Sequence, residues 1–364
     1  MNRALTAPKR VRSQATSNQS LRVCFMYPCD WSQELNDYAC GIVPSHRLFG
    51  YAGTAQLGHV VSFFQLAAPL KKFIQQPALW RVLQAIYASV KQSSIDAFVC
   101  TTEASALPVL MLKRAGVIRK PIVVLNVALL EPRNASGWRR WIWKTLLPCA
   151  DAIVSYASAQ LPWLQERFSL NGDILHFIPF GVDTHFFSAE QGAQTDSFLL
   201  SVGTNAGKDF ATLLDSLPDS AKLVIVTDKW NKRLIQGHPK SGQVDIRNDV
   251  PILELRQLYR DAVAQIIPLH ETKFSSGQTV MLETMAMGKT TIITETSATR
   301  DYICPGVRTF CPGDSATLQE HLWDVLNESM QLNHGLSRHV RQNFSSDRFA
   351  ERLSKLLREL CQVI

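Results

Sequence analysis

After residue 20 the chain alternates short apolar runs with longer stretches of helical periodicity. Leu21–Tyr27 (LRVCFMY) is apolar enough for a buried strand, and Val60–Gln65, Asp96–Cys100, Pro121–Leu125, Asp151–Ser155 and Ile174–Ile178 repeat the signal. Between them a loop to about Pro44 leads into a helix through Leu57, ended by Gly58-His59. Ala78–Lys91, Ala104–Ala115 and residues 137–148 carry helical spacing. Strand, helix, strand without hairpin turns predicts a parallel, doubly wound sheet.

The pattern then restarts. Phe198–Val202 reads as a strand, followed by a glycine-bearing turn (GTNAGKD) and a helix over 209–216. Lys222–Thr227, Val244–Arg247, Ala264–Pro268 and Lys289–Thr294 continue as strands, with helices at 277–287, 314–327 and 346–361. Leu255, Leu258, Tyr259 and Ala262 recur at i, i+3, i+4 and i+7, an amphipathic helix. The fold class expected is therefore α/β, with two Rossmann-like, doubly wound parallel-sheet domains facing a cleft. A flexible tail is expected over 1–20, a first domain over 21–182 and a second over 183–340. A closing helix within 341–364 is expected to pack back on the first domain.

Composition narrows the classes. Of 364 residues, 46% are apolar and 19% charged, which excludes a disordered chain. The net charge of +7 admits anionic lipid, nucleic acid or phosphorylated small molecules as partners. The basic residues are scattered and form no recognition helix, zinc finger or aromatic RNA-binding signature, so no nucleic-acid partner is expected. The eight cysteines form no CxxC pair or metal-ligand spacing, which points to core thiols in a reducing, cytoplasmic compartment and to no metal site. No apolar run is long enough to span a bilayer. GWRRWIWKTLL (137–147) interleaves Trp138, Trp141 and Trp143 with Arg139, Arg140 and Lys144, which suits peripheral contact with a membrane surface. Its alternative reading is a core-facing helix whose basic residues face water.

Candidate chemistry concentrates in SSGQTVMLETMAMGK (275–289). Glu283 is the only charged side chain between Lys273 and Lys289. A lone acid in apolar surroundings needs a hydrogen-bonding partner or stays protonated. Structural partners such as Lys289 or Arg300 would explain it blandly. Ser275, Ser276, Gly277, Gln278 and Thr279 open the same segment and suit a helix start with free N–H groups, where anions bind. An anion site and an isolated acid about two turns apart fit a phosphate and hydroxyls on one ligand, as in a nucleotide sugar. In the restart turn, Gly203, Thr204 and Asn205 let backbone approach a ligand while Lys208 offers a cation for a diphosphate. An ordinary βα turn with a solvated lysine is the alternative. On the first domain, His46, Arg47 and Glu103 are placed at the cleft, and Glu271 is a further acid that could reach in.

Five segments, in order, resemble the retaining, GT-B-fold glycosyltransferases of family 4, the group 1 glycosyltransferases. They are IPFGVDTHFF (178–187), SVGTNAGKDFATLL (201–214), VPILELRQLYRDAVAQIIPL (250–269), SSGQTVMLETMAMGKTTIITETSATRDYI (275–303) and PGDSATLQEHL (312–322). The resemblance implies transfer of a hexose-type sugar from a nucleoside diphosphate, with retention and without bound metal or other cofactor, to a saccharide or lipid-linked acceptor. It implies that Lys208 contacts the donor diphosphate, that Glu283 holds the donor ribose, and that backbone at Gly277, Gln278 and Thr279 binds phosphate or sugar. The chain departs from the family pattern where Ser275 replaces the first of two glutamates, Thr204 an arginine, and Asn126 a histidine near the donor sugar. Those departures motivate one alternative, a catalytically silent scaffold or regulatory subunit. A nucleotide-sugar epimerase is the other.

Overall fold

The structure, a computed structural model, describes residues 20–66, 74, 76–131, 134, 136–189, 198–328 and 332–362. Of the expected tail only Ser20 falls within them. The first sheet comprises β1 (Arg22–Met26), β2 (Val60–Phe63), β3 (Ala97–Cys100), β4 (Ile122–Asn126), β5 (Ala152–Ser155) and β6 (Leu175–Phe177). Its order is β2-β1-β3-β4-β5-β6, with every pair parallel. The second comprises β7 (Phe198–Val202), β8 (Lys222–Val226), β9 (Val244–Arg247), β10 (Ala264–Ile267), β11 (Thr290–Thr294) and β12 (Arg308–Phe310). It is also parallel throughout and ordered β12-β11-β10-β7-β8-β9. The chain reverses its direction of winding between β1 and β3 and again between β7 and β10. Crevices open outside the carboxyl ends of strands at such points. In the second sheet the loops leaving β7 and β10 carry the 203–208 turn and the 268–277 segment.

The inner strands of both sheets are buried on both faces, which explains why they read as continuous apolar runs instead of alternating ones. The expected single helix up to Leu57 is in fact broken. A 3-10 turn over Ser45–Leu48 ends at Phe49, in the left-handed region at φ 53°, and Gly50 follows at φ 91°. Helix α2 (Tyr51–Gln56) then resumes. A Cβ on Gly50 would come within 3.0 Å of Phe349, so the break makes room for the last helix. Within the expected loop before it lies α1 (Ser32–Ala39).

Among the described residues the polypeptide crosses between the lobes at two places, and the two crossings hold each other. Val182 N–H donates to Phe344 O at 2.9 Å, and Ser346 N–H to Val182 O at 2.7 Å. The last helix, Ser346–Gln362, lies back on the first sheet, where Phe349, Leu353, Leu356 and Leu357 join Val23, Phe25, Val99 and Val123. Burial of each such side chain is worth about 1.5–3 kcal/mol, so the return helix is a large part of the first lobe's core. Gly181 marks the tightest approach, since a Cβ there would sit 2.4 Å from the Ser345 carbonyl oxygen. Gly181→Ala is expected to lower stability by about 1–3 kcal/mol through backbone overpacking. A lower midpoint in urea unfolding, with an unchanged slope, is the measurement.

Candidate active site

A cavity of about 610 Å³ lies between the lobes, at the carboxyl ends of the strands. All ten donor-side residues singled out from the sequence line it: Gly203, Thr204, Asn205, Lys208, Ser275, Ser276, Gly277, Gln278, Thr279 and Glu283. His46 and Arg47 line its first-lobe side.

The turn after β7 is stitched to the segment after β10. Asp209 N–H donates to Pro268 O and His270 N–H to Gly207 O, at 3.1 and 3.0 Å. The Asn205 side-chain oxygen accepts from Gly207 N–H at 3.2 Å and from the Ser276 hydroxyl at 3.0 Å. These bonds fold the Lys208 stem over the strand end, across Gly203. A Cβ on Gly203 would fall 1.8 Å from Lys208 Cε, so a residue without a side chain is what lets the lysine lie there. Lys208 is 7% exposed, and its ammonium has no hydrogen-bond partner among the described residues. Burial pulls its pKa down from 10.5 to about 8. An unpaired buried cation is costly unless an anion completes it.

Opposite it begins helix α10 (Gln278–Ala286), capped by Gly277 at φ 87°. The first N–H groups of a helix have no carbonyl within it, and here that end borders the cavity. Glu283 follows on the next turns, 4% exposed. Its partners are neither Lys289 nor Arg300, the latter lying against Glu295 at 3.1 Å. Oε2 instead accepts from the Tyr259 hydroxyl at 2.9 Å, and Oε1 lies 3.2 Å from His46 Nε2. Burial, with the neighbouring Glu283 charge, pushes the Tyr259 phenol well above its ordinary value, so it remains a donor. Tyr259 was legible only as a core position of an amphipathic helix. The clue was that a buried tyrosine hydroxyl needs a partner.

Ser275, where the resemblance leads one to expect an acid, donates to Gln160 Oε1 at 3.2 Å, and Gln160 Nε2 donates to Lys273 O at 3.3 Å. Gln160 opens α6 (Gln160–Phe168) of the first lobe, so the donor loop is tied across the cleft. Asp301 does the same from the second lobe, accepting from both Ser158 N–H and the Ser158 hydroxyl at 2.7 Å.

Several expectations are corrected. Glu103 does not face the cavity: it is buried under the loop after β4, accepts from Ala128 N–H at 3.3 Å, and its pKa is raised chiefly by burial. Asn126 is fully buried and ties the ends of β4 and β5, donating to Ser155 Oγ and accepting from Leu129 N–H, both at 3.1 Å. Val127 takes its place in the cavity wall. Glu271 accepts from Ser297 on the surface and does not line the cavity. Arg47 does line the cavity as expected, and is paired there with Glu34 at 2.9 Å. Of the three tryptophans, Trp143 is buried beside Leu146 and Leu147, while Trp138 and Trp141 are 68% and 69% exposed. Arg139 lies over the Trp138 ring, 5.3 Å from its centre. Helical spacing turns the third ring inward. No described helix is long and apolar enough to cross a membrane.

Lys208 gives the site a pH signature. Its depressed pKa leaves the cation half neutralised near pH 8, so anion affinity at this corner falls as pH rises through that value. The unfolded chain keeps the proton up to about pH 10.4, so burying the charged form costs folding stability below about pH 8, and that cost is relieved as pH rises from the folded to the unfolded pKa. Calorimetric titration with inorganic pyrophosphate at about pH 7 and 9 should show weaker binding at the higher pH, by no more than about tenfold per unit. Lys208→Gln should remove the part of that dependence due to the lysine.

Residues 202–328 match the family model described as "Glycosyl transferases group 1". No curated protein sequence matches the chain. Solved structures do. Sucrose-phosphate synthase (tll1590) from Thermosynechococcus elongatus superposes with a TM-score of 0.72 at 15% identity, covering 95% of this chain and 100% of that one. Alr3699/HepE of Anabaena, in complex with UDP and glucose, gives 0.70 at 13% identity, covering 93% and 100%. The catalytic domain of starch synthase IV from Arabidopsis thaliana, bound to ADP and acarbose, gives 0.65 at 11%, covering 94% and 100%. With its two six-stranded parallel sheets, the chain has the two-lobed GT-B fold, and residues 202–328 of its second lobe match the group 1 glycosyltransferase model.

Proposed function

We propose that the protein is a retaining glycosyltransferase that moves a hexose-type sugar from a nucleoside diphosphate to a saccharide or lipid-linked hydroxyl. The observation that carries this is the buried Lys208 ammonium, without a hydrogen-bond partner among the described residues, in the same cavity as the buried Glu283. Lys208 and the first N–H groups of α10 receive the diphosphate, while Glu283 receives the ribose hydroxyls. In the reaction the bond from the anomeric carbon to the β-phosphate oxygen breaks. The acceptor oxygen bonds to that carbon on the same face, and its proton passes to the departing phosphate oxygen. Lys208 and the helix end stabilise the charge that develops on the leaving group. Glu283 is already engaged by Tyr259 and His46, so it serves binding and not nucleophilic attack. With those positive groups in place we take the step to run without a metal. HepE with UDP and starch synthase IV with ADP favour a nucleotide donor and leave its base open.

UDP, GDP or ADP is expected to stabilise the wild type by about 2.7 kcal/mol at a hundredfold excess over Kd. Lys208→Ala and Glu283→Ala should lose that response in a thermal-shift assay, and so should Gly203→Ala, whose Cβ displaces the lysine. The matching nucleotide sugar should then give a product with the donor's anomeric configuration. No response to any nucleoside diphosphate would favour a silent scaffold.

Exposed Trp138 and Trp141, with Arg139 and Lys144 on the same short helix, favour an acceptor presented at an anionic membrane surface on the cytoplasmic side. Flotation with vesicles containing phosphatidylglycerol should carry the wild type and not the Trp138→Ser/Trp141→Ser variant. Equal flotation of both would remove this part.

A further inference from the structure

The imidazole of His46, carried by the first lobe, is held by the crossing segment and the second lobe. Its Nδ1 accepts the Asp183 backbone N–H at 3.0 Å. A ring nitrogen that accepts carries no proton, so the proton of this imidazole is on Nε2, the atom 3.2 Å from Glu283 Oε1. The contact therefore sets the Nε2–H edge of a neutral ring beside a carboxylate, at the spacing of an ion pair. The ring is 6% exposed and is wedged by Phe180 and Phe187, at 5.9 and 6.0 Å between centres. Ser45 N–H donates to Asp183 Oδ2 at 2.9 Å, so the turn bearing His46 and the crossing segment at Asp183 grip each other reciprocally.

Glu283 thus accepts on Oε2 from Tyr259 of its own lobe and has His46 Nε2, from the other, in contact with Oε1. Each carboxylate oxygen has a second acceptor site. Two such sites match the two donors of a vicinal diol. A cation in the place of His46 would compete with a ligand for the charge of the acid. A neutral N–H orients the acid and leaves its charge available.

We propose that His46 is the positioning residue for Glu283, aiming the remaining acceptor sites of that carboxylate at the ribose diol of the donor and completing the diol site only when the lobes are closed. Diol recognition in the second lobe then depends on a residue of the first. This rests on the donor reading above and adds to it a specific dependence of ribose recognition on His46.

The test compares a nucleoside diphosphate that binds the wild type with its 2′,3′-dideoxy analogue, by calorimetry, in wild type, His46→Ala and His46→Gln. Glutamine can donate through its amide nitrogen and accept through its oxygen, so it replaces both contacts. The wild type should prefer the diol by about tenfold or more, the scale of a hydrogen bond to a charged group. His46→Ala should lose most of that preference while its affinity for inorganic pyrophosphate stays within about twofold, and His46→Gln should regain part of it. In turnover the loss in His46→Ala should fall on donor KM more than on kcat. A diol preference unchanged in His46→Ala overturns the proposal and leaves the donor reading intact. Equal losses toward nucleotide, analogue and pyrophosphate, unrelieved by glutamine, would make His46 merely structural. Failure of the wild type to bind any nucleoside diphosphate would overturn both readings.

Discussion

The structure turns on a carboxylate placed where nothing neutralises it. Glu283 is 4% exposed, within an apolar helix, accepts a hydrogen bond from Tyr259 and has the His46 imidazole 3.2 Å from its other oxygen. An isolated ionised acid in such a place would cost several kcal/mol, and pairing it with a lysine would settle the cost at the expense of its charge. Two neutral donors take the middle course. They require Tyr259 and His46 to arrive from different helices and different lobes, so the acid also helps to set how the lobes meet. Lys208 is the complement of this arrangement, a buried cation without a hydrogen-bond partner among the described residues, and its burial is what lowers its pKa. Two incompletely satisfied charges of opposite sign in one cavity make a poor resting core and a good binding site for a ligand bearing both an anion and hydroxyl donors.

The lobes are joined by more than this pair. Asp301 accepts from Ser158, Gln160 links to Ser275 and Lys273, and the Tyr302 hydroxyl donates to Tyr156 O while accepting from Phe180 N–H. Ser275 has become part of that clamp. A serine where the related pattern has glutamate gives up an acidic contact but leaves a small donor for the Gln160 amide. The departure thereby has a local physical role in tying the two lobes together.

Much of the fold was legible because the inner strands of both sheets are buried on both faces. These strands are written as unbroken apolar runs, and strand–helix–strand order leaves few topologies. The donor-side residues were legible for a related reason: a single acid among Val280, Met281, Leu282 and Met285, or a lysine closing a glycine turn, conflicts with its surroundings. The break at Phe49-Gly50 was not legible, because it answers to Phe349 and Leu353 some three hundred residues away. Glu103 and Asn126 misled for the opposite reason. Both sit at the carboxyl ends of strands, where topology points to the cleft, yet local loop N–H groups claimed them first.

That contrast separates two kinds of buried polar group in this protein. Asn126 has its donor and acceptor partnered within the first lobe, and Glu103 accepts from a neighbouring backbone amide, so each is accounted for by its own lobe. Glu283 Oε1 and His46 Nε2 meet only across the gap, and the ammonium of Lys208 is not satisfied by any described residue. Opening the cleft would leave the first pair untouched and expose the other groups to water. A ligand that supplies an anion to Lys208 and hydroxyls to Glu283 meets two groups of the second lobe, and only through the Glu283–His46 contact is its binding coupled to closure.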